Sequence, residues 1–472
     1  METFKRSVRI ESDSLGDLEI PESAYYGIQT LRASLNYPIS GLRVTPIFIR
    51  AYAFLKRACL HANHELGVFP DVTTVGFIEQ ACNEVIEGKL EDQFIVDVFQ
   101  AGAGTSTNMN LNEVIANRAL ELSGSTRGDY ATISPNDHVN MSQSTNDTYP
   151  TAMRISALLS IRQSLFPALE DLENAFSGKM EEFKSTLKIG RTHLQDAVPM
   201  MLGDEFGAWA SIVQRHTARL REAEKDLTFL GIGGSAVGTG LNVPPGFREK
   251  VIDILNADLD LELRGSSDMF EAMESLAPFQ HVISAIKNLA LDIIKISGDL
   301  RLLSSGPLTG LAEINLPAVQ PGSSIMPGKV NPSVLEMASQ VAMQVIGAET
   351  VISLASQAGQ LELNVMMPVV QFNLLFAIEI FSNAMRVLAT SCIAGITAND
   401  DRMLHYAESS ASLVTALAPH IGYMESAKIA KEALASKRTI RSIVLEKKLM
   451  TEDQLNSILD LNAMTRPHQL EG

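Results

Sequence analysis

The chain has 472 residues, room for about three domains of roughly 150 residues each. Its 46% hydrophobic and 20% charged content is that of a globular protein with a large core. A net charge of −17 sets it against nucleic acid and anionic membrane, both of which would repel it, while a locally positive pocket for an anionic substrate stays open.

Taken in chain order, Met1–Arg6 lacks the apolar run of a secretory leader. The first 140 residues mix shorter helices with loops, and a first mixed helical domain is expected at 1–140. Within it, Ala101–Asn110 gathers small residues and hydroxyls, Thr105 among them, ahead of a helix expected near Leu111. Hydroxyls and free N–H groups at a helix start suit a carboxylate; plain capping by Thr107 or Asn108 is the simpler alternative. Met141–Asp147 repeats the pattern before Pro150, where Ser144, Thr145 and Asn146 exceed what one cap requires.

Apolar residues at three- and four-residue spacing predict long helices over about 151–187, 266–303, 333–355 and 368–392. Pro167 should kink or interrupt the first. Such lengths suit a long bundle, expected at 141–395, and faces apolar all round suggest burial between subunits as well. The most apolar stretch, 374–396, carries Glu379 and Arg386. It reads as a buried helix, and no uncharged run of the ~18 residues of a membrane span is found.

Gly190–Pro199 places Thr192 and His193 together, a hydroxyl and an imidazole able to accept from an ammonium, although a lone histidine is more often structural. Gly231–Gly240 contains a Gly-x-Gly-x-x-Ala spacing, but a charged helix precedes it and no βαβ unit is expected after it, so an interhelical turn is the reading. Gly322–Pro332 concentrates Ser323, Ser324, Lys329 and Asn331 between glycines and prolines. A phosphate-binding loop fails on spacing, since five residues separate Gly322 from Gly328 and Val330 follows the lysine; a nucleophile elbow is absent. A serine near an ammonium is a candidate oxygen base. A small C-terminal helical domain is expected at 396–472. Cys59, Cys82 and Cys392 stand far apart without metal spacing, the pattern of reduced thiols in a cytoplasmic protein.

These segments offer neutral donors and a cation, with no metal-ligand cluster. They suit metal-free proton abstraction beside a carboxylate, with hydroxyls stabilising the resulting aci-carboxylate. Their order and spacing resemble the fumarase/aspartase superfamily from about residue 10 onward, with Ser305–Pro307 and Gly359–Val365 flanking the serine loop. The resemblance implies a mainly α, three-domain fold whose central helices form a twenty-helix core in a homotetramer, with each site drawn from three subunits. Tyr25–Ala33, Phe94–Asp97 and Gly102–Ser106 resemble the aspartase branch; Leu413–Tyr423 looks fumarase-like, and Met367 and Asp204 depart from the aspartase pattern.

The aspartase branch implies conversion of L-aspartate to fumarate and ammonia with no cofactor and no metal. Class II fumarase chemistry on malate is the alternative, and an inactive structural member a remote one. In the roles the resemblance implies, Ser323 is the base. Thr105, Ser144, Thr145 and Ser324 hold the β-carboxylate; Thr192, Lys329 and Asn331 hold the α-carboxylate. Asn146 and His193 meet the leaving amine, and Glu336 orients Lys329.

Overall fold

The computed structural model describes residues 7–69 and 71–467. Met1–Arg6, expected to lack a leader, lies outside the described residues. The chain opens on an antiparallel hairpin, β1 (Val8–Asp13) and β2 (Gly16–Pro21), with Val8 opposite Pro21. Helices α1 (Ile28–Asn36), α2 (Pro46–Glu65), α3 (Val72–Ile86), α4 (Thr105–Leu122) and α5 (Thr145–Ser160) follow. Next come α6 (Phe166–Glu182), a second hairpin of β3 (Leu187–Thr192) and β4 (Gln195–Met201), and α7 (Leu202–Ala223). After β5 (Phe229–Leu230), α8 (Phe247–Leu259), β6 (Arg264–Gly265) and α9 (Met269–Glu274), α10 spans Ala277–Leu303. A two-residue strand β7 (Ile314–Asn315) precedes α11 (Ser333–Gln357) and α12 (Met367–Ser391). Its partner β8 (Thr397–Ala398) leads into the short helices α13 (Asp400–Ser409), α14 (Val414–Ile421), α15 (Tyr423–Ser436), α16 (Ile440–Glu446) and α17 (Glu452–Ile458).

The mainly helical expectation holds, with informative differences at the ends of elements. The interruption expected at Pro167 is a π-helical turn over Ile161–Leu165, directly ahead of the proline that cannot donate a backbone hydrogen bond. The helix read over 266–303 is broken at Ser275 and Leu276, and Pro278 stands in the first turn of α10, where a missing N–H leaves nothing unsatisfied. β5 and β6 pair in parallel across α8, so a two-residue βαβ crossover exists where none was expected. The glycines of 231–240 still do not open its helix, because α8 begins only at Phe247. By length and apolarity alone Met367–Gly395 could cross a membrane, but more than half of its most apolar window is buried within the chain.

Contacts divide the chain into two compact units. One comprises Met1–Pro167, His216–Ala290 and Met343–Ser382; the other Ala168–Arg215, Leu291–Ala342 and Asn383–Gly472. In the first, α2 packs against α3, α5 and α8, burying Phe48, Tyr52, Leu55 and Cys59. In the second, Phe176, Phe183, Phe206 and Trp209 form an edge-packed aromatic cluster, and Leu413, Leu417, Ile429, Ile443 and Leu455 belong to a separate apolar core. This partition follows contacts rather than composition; the limits 1–140, 141–395 and 396–472 stand as a proposal.

The start of α1 shows how buried charge organises the first unit. Gly27 offers no side-chain cap. Glu113 of α4, 1% exposed, accepts instead from the backbone N–H groups of Gly27 (2.9 Å), Gln29 (2.9 Å) and Thr30 (3.1 Å) and from the Thr30 hydroxyl (2.5 Å). Glu11 takes the Ile28 N–H at 2.8 Å. The positive end of α1 is thus closed by two carboxylates. Burial pushes the Glu113 carboxyl up to about 7, against the donors that favour its charged form. Glu113→Gln turns an N–H₂ toward backbone donors and leaves at least one unsatisfied. We expect it to destabilise the fold by about 1–3 kcal/mol, read as a lower denaturation midpoint; an unchanged midpoint would refute the capping role.

Candidate functional site

In the first unit the assigned residues gather at two helix starts. α4 begins at Thr105, six residues before the expected Leu111, because Gly104 turns directly into it with φ of 82°. Capping by Thr107 or Asn108 does not occur. Gln100 Oε1 accepts from the Thr107 N–H (2.9 Å) and hydroxyl (2.8 Å), while Asn108 faces the Tyr52 hydroxyl at 2.7 Å. Thr105 is exposed at the first helical position and makes no side-chain hydrogen bond among the described residues.

α5 starts in the same neighbourhood, since Tyr149 packs against Gly104. Ser144 is its cap, accepting from the Asn146 N–H at 3.2 Å, and Asp147 returns the contact to the Ser144 N–H at 3.0 Å. Thr145, nearly buried, keeps its hydroxyl uncommitted among the described residues, while Asn146 donates to the Ala236 carbonyl at 2.9 Å. Two helix N-termini with free threonine hydroxyls therefore lie together, an arrangement that favours a carboxylate.

In the second unit, Thr192 closes β3 and pairs with Gln195 across a two-residue turn, His193-Leu194. Both turn residues have positive φ, 55° and 60°, the backbone of a tight hairpin whose twist matches its strands. Neither is glycine, so the turn holds strain at its tip. His193 is exposed and has no hydrogen-bond partner among the described residues. Thr192 is likewise exposed and uncommitted. The strand beneath is tied down by charge. Glu313, fully buried, meets Arg191 at 2.7 Å and Lys188 at 3.1 Å, and Lys188 also meets Glu205 at 2.7 Å.

The loop of residues 322–332 is pinned at its neck. Gly322 N–H donates to Lys329 O at 2.8 Å, and Asn331 Nδ2 donates to Gly322 O at 2.5 Å. A Cβ at Gly322 would run into the Lys329 carbonyl, which requires glycine there. Inside the loop, Ser323 Oγ accepts from the N–H groups of Ile325 (3.2 Å) and Met326 (2.9 Å). Donors of this kind lower the energy of an oxyanion. Ser324 and Lys329 are exposed and make no side-chain hydrogen bond among the described residues. Glu336 lies 4.0 Å from Arg301 and does not reach Lys329 in this conformation. No hydrogen bond or ion pair joins His193 to this loop among the described residues.

Several organising residues were not singled out from sequence. Asp147, fully buried, accepts from Gly233 (3.1 Å) and Ser235 (2.9 Å) as well as Ser144, so the glycine-rich link serves as its cradle. Burial pushes its carboxyl up to about 7, against those three backbone donors. Ser144-x-x-Asp147 was a readable capping-box signal. Lys56, 1% exposed, lies in the apolar stripe of Tyr52, Leu55 and Cys59, the one available hint of its role. Burial draws its ammonium down to about 7. Glu313 gave no sequence signal.

With this geometry in place, comparison with known proteins fixes the class. Residues 16–347 match the family described as Lyase, and 413–466 the Fumarase C C-terminus. Aspartate ammonia-lyase of Bacillus subtilis (strain 168) is 47% identical over 463 residues, covering 98% of this chain and 97% of its own. That of Pseudomonas aeruginosa is 48% identical over 464 residues, covering 98% of both chains. Among solved structures, the cobalt-bound fumarate lyase:delta crystallin of Brucella melitensis superposes with a TM-score of 0.94 at 47% identity, covering 98% of this chain and 100% of that one. The recombinant class II fumarase of Schistosoma mansoni gives 0.94 at 35% identity, with the same coverages. The chain belongs to the fumarase/aspartase superfamily of lyases.

Gly104 is a tightly packed joint in this geometry. An added Cβ would enter the Tyr149 ring at a left-handed backbone position. We expect Gly104→Ala to destabilise by about 2 kcal/mol or more from strain and overpacking. Thermal unfolding with unchanged midpoint would contradict the packing described.

Proposed function

We propose that this chain releases ammonia from L-aspartate to give fumarate, a carbon–nitrogen lyase reaction. The observation that carries the reading is the near-full-length similarity to aspartate ammonia-lyases. In the proposed reaction Ser323 Oγ removes a proton from the carbon beside the β-carboxylate. Its two backbone N–H donors favour the alkoxide it must form and leave a further lone pair for the incoming proton. Thr105, Ser144, Thr145 and Ser324 hold the β-carboxylate and stabilise the aci-carboxylate, aided by the helix starts of α4 and α5. Thr192, Lys329 and the second Asn331 N–H hold the α-carboxylate. The aci-carboxylate then collapses: its electron pair forms the carbon–carbon double bond, and the carbon–nitrogen bond breaks with its electrons to nitrogen, releasing near Asn146 and His193 an ammonia that carries off as ammonium the proton gained by Ser323 and so restores the alkoxide. Glu336, at the start of α11, orients Lys329 once a movement of the 322–332 loop brings the ammonium to it. No cofactor is required in this scheme.

We further propose a cytoplasmic homotetramer with shared sites. Exposed apolar residues on α11 (Met343 and Leu354, 59% and 58% exposed) and on α12 (Val387) support burial against other copies. The buried free thiols suit a reducing compartment. Fumarase chemistry remains the second reading, favoured by the C-terminal match to Fumarase C and by the likeness to a class II fumarase. Ammonia release from L-aspartate, measured against fumarate release from L-malate on EDTA-treated protein, separates the two. We expect aspartate to be the far better substrate; preference for malate overturns the assignment. Ser323→Ala should lower kcat by about 10²–10⁴-fold with KM little changed, because the base acts in the transition state. A variant retaining more than about a tenth of wild-type kcat would exclude Ser323 as the base.

A further inference from the structure

We propose that Lys56 is a positioning residue for the carboxylate-binding segments, a clamp that sets the 140–145 turn against the start of α4. Its Nζ donates to Asn140 Oδ1 and to Gln143 Oε1, each at 2.9 Å, from a side chain that is 1% exposed. Either protonation state of the amine supplies those two N–H donors. The Tyr52 ring lies 5.3 Å away on the same helix and stabilises the cation.

Both acceptors lie within the four residues before Ser144 and are bound into the turn. Asn140 Nδ2 donates to Gln143 O at 3.1 Å, and Gln143 Nε2 donates to the carbonyls of Val139 and Met141, each at 3.1 Å. The same Asn140 Oδ1 accepts from Asn108 at 3.2 Å and Asn112 at 3.1 Å, both on α4, whose first residue is Thr105. The Tyr52 hydroxyl ties Asn108 to Thr148 of α5, each contact 2.7 Å. One amine on α2 therefore sits at the junction of the two elements that carry Thr105 and Ser144–Asn146. Lys56 has no carboxylate within ion-pair distance among the described residues, and a buried lysine so placed is an expensive way to hold a fold. Placing two hydroxyl-bearing helix starts within the tolerance a reacting carboxylate demands accounts for it.

The inference rests on the proposed assignment of Thr105, Ser144 and Thr145 to carboxylate binding. The test compares Lys56→Met, which keeps the length but no donor, with Lys56→Gln, which keeps one donor group. Succinate binding by calorimetry and kcat and KM for L-aspartate are measured on the full-length protein. We expect Lys56→Met to fold, to bind succinate at least about tenfold more weakly, and to lose about 10²-fold in kcat/KM. The fall in kcat should exceed the rise in KM, since carboxylate contacts tighten as charge develops. Lys56→Gln should recover part of both losses. If Lys56→Met does not fold, Gln143→Met removes one acceptor and should shift the same quantities in the same direction. A folded Lys56→Met, or in its absence a folded Gln143→Met, with succinate affinity and kcat within twofold of wild type overturns the proposal. A wild type inert toward aspartate overturns the functional reading instead; succinate affinity across the variants then decides the clamp alone, and wild-type protein that does not bind succinate overturns both.

Discussion

A carboxylate taken out of water loses hydration worth on the order of several kcal/mol unless donors replace it. Among the described residues, three of the buried carboxylates are met by donors that would otherwise be loose ends. Glu113 closes the start of α1, Asp147 joins the start of α5 to the glycine-rich link, and Glu313 holds the β3 strand through Arg191 and Lys188. Because each carboxylate loses stabilisation if its segment shifts, the segments are fixed in place. Ser144 and Thr192 of the proposed site sit on the elements that Asp147 and Glu313 hold, so charge inside the fold orders uncharged groups outside it.

The consequence is a protein whose reactive groups stand at tips. Thr105, Thr192, His193, Ser324 and Lys329 are exposed and uncommitted among the described residues. The His193-Leu194 turn carries positive φ without glycine, and Leu194 is 73% exposed at its apex. Proton abstraction beside a carboxylate gains from a site that excludes water, where oriented donors act at low dielectric. In our account other copies of the chain supply that cover. The exposed apolar residues of α11 and α12 are then the surfaces that bring those copies together, and catalysis and assembly become one property.

How much of this was legible in sequence depended on whether the signal was local. Long helices declared themselves by three- and four-residue apolar spacing, and the polar loops by hydroxyls packed between glycines and prolines. Pro167 announced the break in the first long helix, though not that a π-turn would absorb it. Residues whose roles are set by distant partners were silent. Nothing near Glu313 points to Lys188 or Arg191, more than a hundred residues earlier. Asp147 was half visible as the last member of a capping box, but its bonds to Gly233 and Ser235 exist only in three dimensions. The glycine-rich link misled on its neighbourhood for the same reason: the parallel partner of β5, the strand just before it, lies beyond a whole helix. The helix start at Thr105 was missed because Gly104 turns into it without a side-chain cap, and the acceptor for the Thr107 N–H, Gln100, lies just before the motif.

The central claim, that the proposed site is completed between chains, is tested most directly by mixing two inactive variants. Ser323→Ala and His193→Asn chains, each inactive alone, are unfolded together, refolded and assayed for ammonia release from L-aspartate, with mixed tetramers verified by mass. Shared sites predict partial recovery of activity, because some sites then combine an intact serine loop from one chain with an intact His193 turn from another. Mixed tetramers without any recovered activity would contradict the account.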